Sequence, residues 1–189
     1  RLLQTPIKPV LQKFQAMVEE ISVKVGKKIR FQVSGDNVSI EPGKLDPLKD
    51  ALVHIIRNAC DHGLENPSDR LQSSKEETGL IEIQCLENDN EVQLIVIDDG
   101  RGIDPVRVGQ SALSKGLLTK DELDKMTDKQ KQDLIFKPGF STKAEANELS
   151  GRGLGMDIVA TLVEKIGGTM EIQSRVGLGT EVFIRIQDE

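Results

Sequence analysis

The chain has 189 residues, 37% hydrophobic and 30% charged, with 31 acidic against 25 basic side chains and a net charge of −6. That length supports one domain with its own core. The acidic balance speaks against a nucleic-acid footprint but leaves room for an anionic small ligand held by main-chain N–H groups. No apolar run is long enough to cross a bilayer, no signal peptide is visible, and two cysteines make no disulfide framework, so Cys60 and Cys85 read as small core residues in a reducing compartment.

In chain order, Pro6 to Val25 reads as an amphipathic helix with Val10, Phe14, Met17, Val18 and Ile21 on one stripe, stopped by Gly26. Ile29, Phe31 and Val33 alternate with polar residues as a strand, and Val38 with Ile40 suggests a short partner after the turn at Gly35 to Asn37. Asp46 and Pro47 open a helix whose apolar positions are Leu48, Leu52, Ile55 and Ala59. Gly63 to Glu77 is a loop or a short irregular helix. Leu80 to Leu86 and Val92 to Ile97 are strands joined at Asn88-Asp89-Asn90. A helix follows Pro105 to about Lys115, then a charged helical stretch from Lys120 to Ile135 and a polar loop from Lys137 to Ser150. Leu154 to Ile166 is helical, and Thr169 to Ser174 and Thr180 to Ile186 form a hairpin around Val176 to Gly179. This order predicts an α+β fold: a two-layer α/β sandwich whose mixed, mostly antiparallel sheet carries its helices on one face.

Four stretches carry chemistry. In HIIRNACDHG, His54, Asn58 and Asp61 are spaced four and three apart and share a helix face away from the apolar stripe. Asn is a poor zinc ligand but acceptable to Mg²⁺, and the same residues would also serve as helix caps. DDGRGID, at a strand end, offers the Asp98 carboxylate to an exocyclic amine, while Gly100 and Gly102 let the backbone turn and approach a flat ligand. GRGLGM, from Gly151 to Met156, opens a helix after the polar loop, where free N–H groups and the helix dipole suit phosphate. It is neither a Rossmann fingerprint nor a Walker A loop. GLGTEVFIRI ends the set with Thr180, whose hydroxyl either faces a cleft or is an ordinary strand residue.

Together and in this order, the four stretches resemble the ATP-binding (Bergerat-type) fold shared by histidine kinases, type II topoisomerases, the Hsp90 chaperones and MutL. In the topoisomerase, Hsp90 and MutL branches a glutamate four residues before the magnesium asparagine activates water; here that position is His54. HIIRNACDHGLE, DDGRGID, FKPGFSTK and SGRGLGMDIV resemble the catalytic domain of the CheA-type chemotaxis histidine kinases, from about Pro6 to the end. The resemblance implies ATP and Mg²⁺ as cofactors and γ-phosphoryl transfer to a histidine. It places Asn58 on the metal, His54 beside the γ-phosphate as the proton acceptor, and Lys143 as a charge there. With a reference pKa of about 6.5, a histidine suits general-base work near neutral pH. Arg57, Asp61 and His62 match positions near the nucleotide, and Asp98 with Gly100, Gly102 and Ile103 matches the adenine pocket. Residues 136–150 match the ATP lid, with Phe140, Ser141, Thr142 and Ser150 on it. Gly151, Arg152, Gly153, Leu154, Gly155 and Met156 match the glycine-rich box, and Thr180 the closing strand.

A basic residue is expected on the helix after Asp104 to reach the phosphates; Arg107 is the best match, and Ser111, a turn later, is not basic. His54 and His62 are the only histidines and both lie in the nucleotide motif, so the phosphoacceptor must lie on a separate domain. The chain begins at Arg1 rather than Met and reads as a fragment. Residues 1–25 would be a connector helix from an upstream dimerisation region, and residues 26–189 the kinase domain. The implied setting is a cytoplasmic, homodimeric protein. Its partners would be a histidine phosphotransfer domain, a response regulator and, through other domains, an adaptor or chemoreceptor, with no nucleic acid and no membrane insertion. Two other readings stay open: an ATP-hydrolysing conformational machine, and a nucleotide-binding scaffold without turnover.

Overall fold

The computed structural model describes residues 3–35, 37–141 and 155–187. Alternating apolar residues make the strands, as period-two patterning requires. They are β1 (Thr5–Pro6), β2 (Ile29–Ser34), β3 (Ser39–Ile40), β4 (Gly79–Asn88), β5 (Glu91–Asp98), β6 (Gly168–Arg175) and β7 (Gly179–Gln187). Five of them form one sheet in the order β2-β4-β5-β7-β6. The β2–β4 pairing is parallel and the other three are antiparallel. Ile81, Ile83 and Cys85 of β4, Val92, Leu94 and Val96 of β5, and Val182, Ile184 and Ile186 of β7 are all buried in one core.

That face is covered by α1 (Lys8–Val25), α2 (Pro42–Asn58) and α7 (Met156–Glu164). They contribute Leu11, Phe14 and Val18, then Leu48, Leu52, Ile55 and Ile56, then Val159 and Val163. The result is the expected two-layer architecture. Between β5 and α7 run α4 (Pro105–Ser114), α5 (Lys120–Asp124), α6 (Asp128–Asp133) and a 3₁₀ turn (Leu134–Phe136). They enclose a satellite core of Val108, Ala112, Leu118 and Leu134. A short α3 (Pro67–Gln72) precedes β4.

Three local expectations differ from the structure. The Val38–Ile40 segment is not the partner of β2: β3 pairs antiparallel with β1, while β2 takes β4 as its parallel neighbour, Ile29 opposite Gly79. That neighbour arrives through a helical crossover, which turn chemistry at Gly35 cannot announce. Pro42, not Pro47, sits in the first turn of α2, and Pro47 lies inside the helix. Its missing N–H costs one hydrogen bond near the N-terminus, in a stretch where Leu45 packs against the core. The charged 120–135 stretch is not one helix. Thr119 and Thr127 each close a capping box, with Glu122 and Gln130, and each starts a new helix.

Candidate functional site

At the C-terminal end of α2 the chain does not stop but widens. Ala59–Gly63 forms a π-helical turn, closed by the Leu64 N–H on the Ala59 carbonyl at 2.8 Å. Such bulges shift the side chains that follow relative to the helix before them and recur at functional sites. Here His54, Arg57 and Asn58 from α2, and Asp61 and His62 from the turn, all line one cavity of about 470 Å³. The opposite wall is the sheet: Val96 and Asp98 of β5, Ile172 of β6, and Thr180 and Val182 of β7. Gly102, Ile103, Phe140, Ser141, Gly155 and Met156 complete the part that the sequence pointed to.

Asp98 is fixed in this wall by its strand and by the turn that follows. It ends β5 between Ile81 of β4 and Thr180 of β7. Its Oδ1 accepts the Gly100 N–H at 2.9 Å. Burial pushes its carboxyl up to about 6. The hydrogen bond from the Gly100 main chain opposes the rise, the neighbouring Asp99 charge adds to it, and the Thr180 main chain opposes it in turn. A carboxylate with unspent acceptor capacity in an apolar wall suits an amine donor from a ligand.

Its neighbour Asp99 turns away from the cavity and anchors the loop. Asp99 Oδ1 accepts the Leu80 N–H at 2.8 Å, and Oδ2 accepts from Arg70 at 2.9 Å. Arg70 is only 1% exposed. It also donates to Glu65 Oε1 at 3.0 Å and to the Glu76 carbonyl at 2.7 Å. Lys75 joins the group, donating to Glu65 Oε2 and to the main-chain carbonyls of Asp99 and Gly100. Burial would raise the Glu65 carboxyl, but the Lys75 hydrogen bond, its own main chain and the Lys75 and Arg70 charges outweigh it and hold it low. Sequence reading missed this network: Glu65, Arg70 and Lys75 are ordinary charged residues until the fold brings them under the 98–100 turn.

Gly100 is buried and does not line the cavity. A Cβ there would stand 2.1 Å from the Gly63 carbonyl oxygen, so the glycine locks the turn after β5 against the π turn rather than facing a ligand. Gly179, at φ 122°, lets β7 approach the end of β5 closely: a Cβ there would stand 1.9 Å from the Asp98 carbonyl oxygen. Thr180 is tied to Ser174, their hydroxyl oxygens 2.9 Å apart, and Ser174 also receives the Ile103 N–H at 2.8 Å.

Asn58 is in the opposite condition. It is exposed at the cavity edge, and its amide nitrogen donates to the Met156 sulfur at 3.3 Å. Asp61 is half-buried; burial raises its carboxyl, against the charges of His62, Lys27, Arg57 and Lys24. Among the described residues, the buried Arg57 Nε has no hydrogen-bond partner. At the start of α7 the N-cap is Gly155, which has no side chain to satisfy the first-turn N–H groups from that position.

Arg107 is exposed and does not line the cavity. Ser111 of α4 and Lys115, the C-cap residue one turn further on, do line it. Lys115 donates to the Phe140 carbonyl and lies over the Phe140 ring, 4.7 Å from its centre. The helical spacing from Ser111 would have found it. Thr142, Lys143, Ser150, Gly151, Arg152, Gly153 and Leu154 lie outside the described residues. Cys60 and Cys85 are buried, and burial pushes the Cys60 thiol up to about 12, so it is inert.

The chain is similar to several known proteins. The chain is 39% identical over 181 residues to the sensor histidine kinase CheAY of Helicobacter pylori, spanning 96% of this chain and 22% of that protein. It is 38% identical to the gliding motility regulatory protein of Myxococcus xanthus, over 96% of this chain and 23% of that protein. It is 35% identical to the chemotaxis protein CheA of Bacillus subtilis, over 96% of this chain and 27% of the relative. The chain therefore spans about a quarter of the length of these relatives. Among solved structures, the catalytic domain of histidine kinase ThkA in a nucleotide-free form superposes with a TM-score of 0.60 at 20% identity, over 98% of this chain and 95% of that one. The Acinetobacter baumannii histidine kinase AdeS does so with a TM-score of 0.57 at 15% identity, over 99% of this chain and 67% of that one. These likenesses confirm the fold. Residues 43–189 match the histidine kinase-, DNA gyrase B- and HSP90-like ATPase family, and the chain belongs to that family.

Proposed function

We propose that the chain is the Mg·ATP-binding catalytic unit of a CheA-like protein histidine kinase, passing the γ-phosphoryl group to a histidine on a separate phosphotransfer domain. The observation that carries this reading is that Asn58 and Asp98 line one cavity whose other walls are largely apolar. Asp98 accepts the exocyclic amine of adenine, and Val96, Ile103, Met156, Ile172 and Val182 exclude water around the base. Arg57, Lys115 and the N-terminus of α7 hold the phosphates. The family resemblance, rather than the described structure, adds Lys143, Thr142, Ser150, Arg152, Leu154 and the glycines at 151 and 153 to that set, beside Gly155 of the cavity wall.

The donors fit Mg²⁺ rather than a tightly caged metal. Among the described residues there is no group of three His, Cys, Asp or Glu side chains that could hold a metal. An exposed carboxamide oxygen at Asn58 suits a hard cation that takes most of its ligands from phosphate and water. When bound, Mg²⁺ supplies charge neutralisation on the phosphates. His54 takes the proton from the attacking imidazole nitrogen as the N–P bond forms and the bond from Pγ to the ADP oxygen breaks. Catalysis is then chiefly positioning and electrostatics. His54 and His62 are the only histidines and both line the cavity, so the acceptor comes from elsewhere.

In this setting residues 1–25 are a connector and residues 136–150 the lid. The whole protein is a cytoplasmic homodimer serving a response regulator and an adaptor or receptor. No helix among the described residues is long and apolar enough to cross a membrane. The test is to supply γ-labelled ATP and a histidine phosphotransfer domain. Label on the acceptor's histidine is expected. Steady phosphate release without an acceptor would favour a hydrolytic ATPase, and absence of nucleotide binding a scaffold.

A further inference from the structure

Lys27 stands just beyond α1, outside the segment 43–189 that matches the ATPase family; it does not line the cavity but contacts the turn that carries two of its lining residues. Its Nζ donates to the main-chain carbonyls of Cys60 at 2.8 Å and Asp61 at 2.7 Å. Both belong to the π turn that follows Asn58. Carbonyls at a helix C-terminus lack intrahelical partners, and a cation there satisfies them and opposes the helix dipole.

The mount of this lysine is rigid. Gly26 takes the left-handed conformation at φ 67°, the Lys27 N–H returns to the Ser22 carbonyl at 3.1 Å, and Ser22 Oγ donates to the Lys27 carbonyl at 2.6 Å. The end of α1 and the π turn are therefore joined through one side chain. Burial, and then the Arg101 charge, lower the Lys27 pKa against the raising influence of Asp61, Cys60 and Glu65. The ammonium is thus held where water alone would serve it better, and the two carbonyls offset that loss.

We propose that Lys27 is a positioning residue for the nucleotide site: by clamping the Cys60 and Asp61 carbonyls it holds the π turn that presents Asp61 and His62 beside Asn58, so that the attitude of α1 sets nucleotide affinity. The inference rests on the nucleotide reading above. Lys27 touches no ligand; it acts through the turn. Whatever moves the C-terminal end of α1 then changes the cavity without entering it.

The test uses the whole chain, a fluorescent ADP analogue without metal, and amide hydrogen exchange of the ligand-free protein. Lys27→Met keeps the stem and removes the donors. Its nucleotide affinity is expected to fall about tenfold, with faster exchange at residues 59–64 and unchanged protection in β5 and β7. Lys27→Gln, which reaches with a single amide, is expected to fall between wild type and Lys27→Met, and it decides the matter if Lys27→Met does not fold. Affinity within about twofold of wild type would overturn the proposal. So would exchange that rises equally in β5 and β7, which makes Lys27 a stability residue only. If wild type binds no nucleotide, the kinase reading fails separately, and unchanged exchange at 59–64 would still sink the clamp.

Discussion

Asp98 and Asn58 face the same cavity in opposite physical circumstances. Asp98 is held by its strand, by the Gly100 N–H and, through Asp99, by a buried network of Arg70, Glu65 and Lys75. Asn58 is exposed, its amide nitrogen donating to the soft Met156 sulfur. The first arrangement is held by the protein's own hydrogen bonds; the second, on the function proposed above, leaves its oxygen for a metal that arrives with the nucleotide. A base is flat, rigid and recognised at one edge, which rewards a fixed carboxylate. Phosphates and a hydrated cation arrive as a cluster, which rewards polar groups at an open rim.

The sharpest way to break this contrast is at Arg70. Arg70→Ala removes one partner each from Glu65 and the Asp99 carboxylate, leaving Glu65 to Lys75 and Asp99 to the Leu80 N–H, and is expected to cost about 2 kcal/mol of folding stability in a denaturant titration. A cost no larger than that of an ordinary surface charge would mean that the network does not hold the Asp98 wall.

Asp98→Asn comes next. It is expected to weaken adenine nucleotide binding about 100-fold, near 3 kcal/mol, by calorimetry. It should not weaken the fold at neutral pH. Because burial raises the folded-state carboxyl from 3.8 to about 6, the folded state binds that proton more tightly than the unfolded state. Asp98 therefore favours folding most at low pH, and its contribution is lost as pH rises from about 4 to about 6. The melting temperature of Asp98→Asn relative to wild type should accordingly climb over that interval. Nucleotide affinity of the wild type should run the other way, falling as pH drops below about 6 and the better, ionised acceptor is lost.

A smaller effect sharpens the phosphate side. Lys115→Ala should weaken ATP about fivefold, roughly 1 kcal/mol, and affect adenosine little. Arg107→Ala should change ATP affinity less than about twofold. The reverse order would return the phosphate contact to Arg107.

The strands, the helix-rich face and most of the cavity lining were legible because each is a local pattern: alternation in β4, β5 and β7, a heptad-like stripe on α2, glycines beside a carboxylate. What escaped was long-range or off-period. The parallel β2–β4 pair joins residues far apart in the chain. The π turn closes one residue later than an α-helix, and no propensity marks it. Arg70 and Lys75 acquire meaning only once β4 and β5 bring Asp99 beside them. Lys115 was one helical turn beyond the position that drew attention, and Thr119 and Thr127 were readable as caps that divide the 120–135 stretch.

The most direct test of a nucleotide site with a metal-dependent rim is a calorimetric titration with a non-hydrolysable ATP analogue, with and without Mg²⁺, for wild type and Asn58→Ala. Wild type is expected to bind near 1 μM, about −8 kcal/mol, and more tightly with Mg²⁺. Asn58→Ala should retain the metal-free affinity and lose most of the Mg²⁺ enhancement. Equal Mg²⁺ enhancement in both proteins would contradict the role given to Asn58, and no binding by wild type would contradict the site itself.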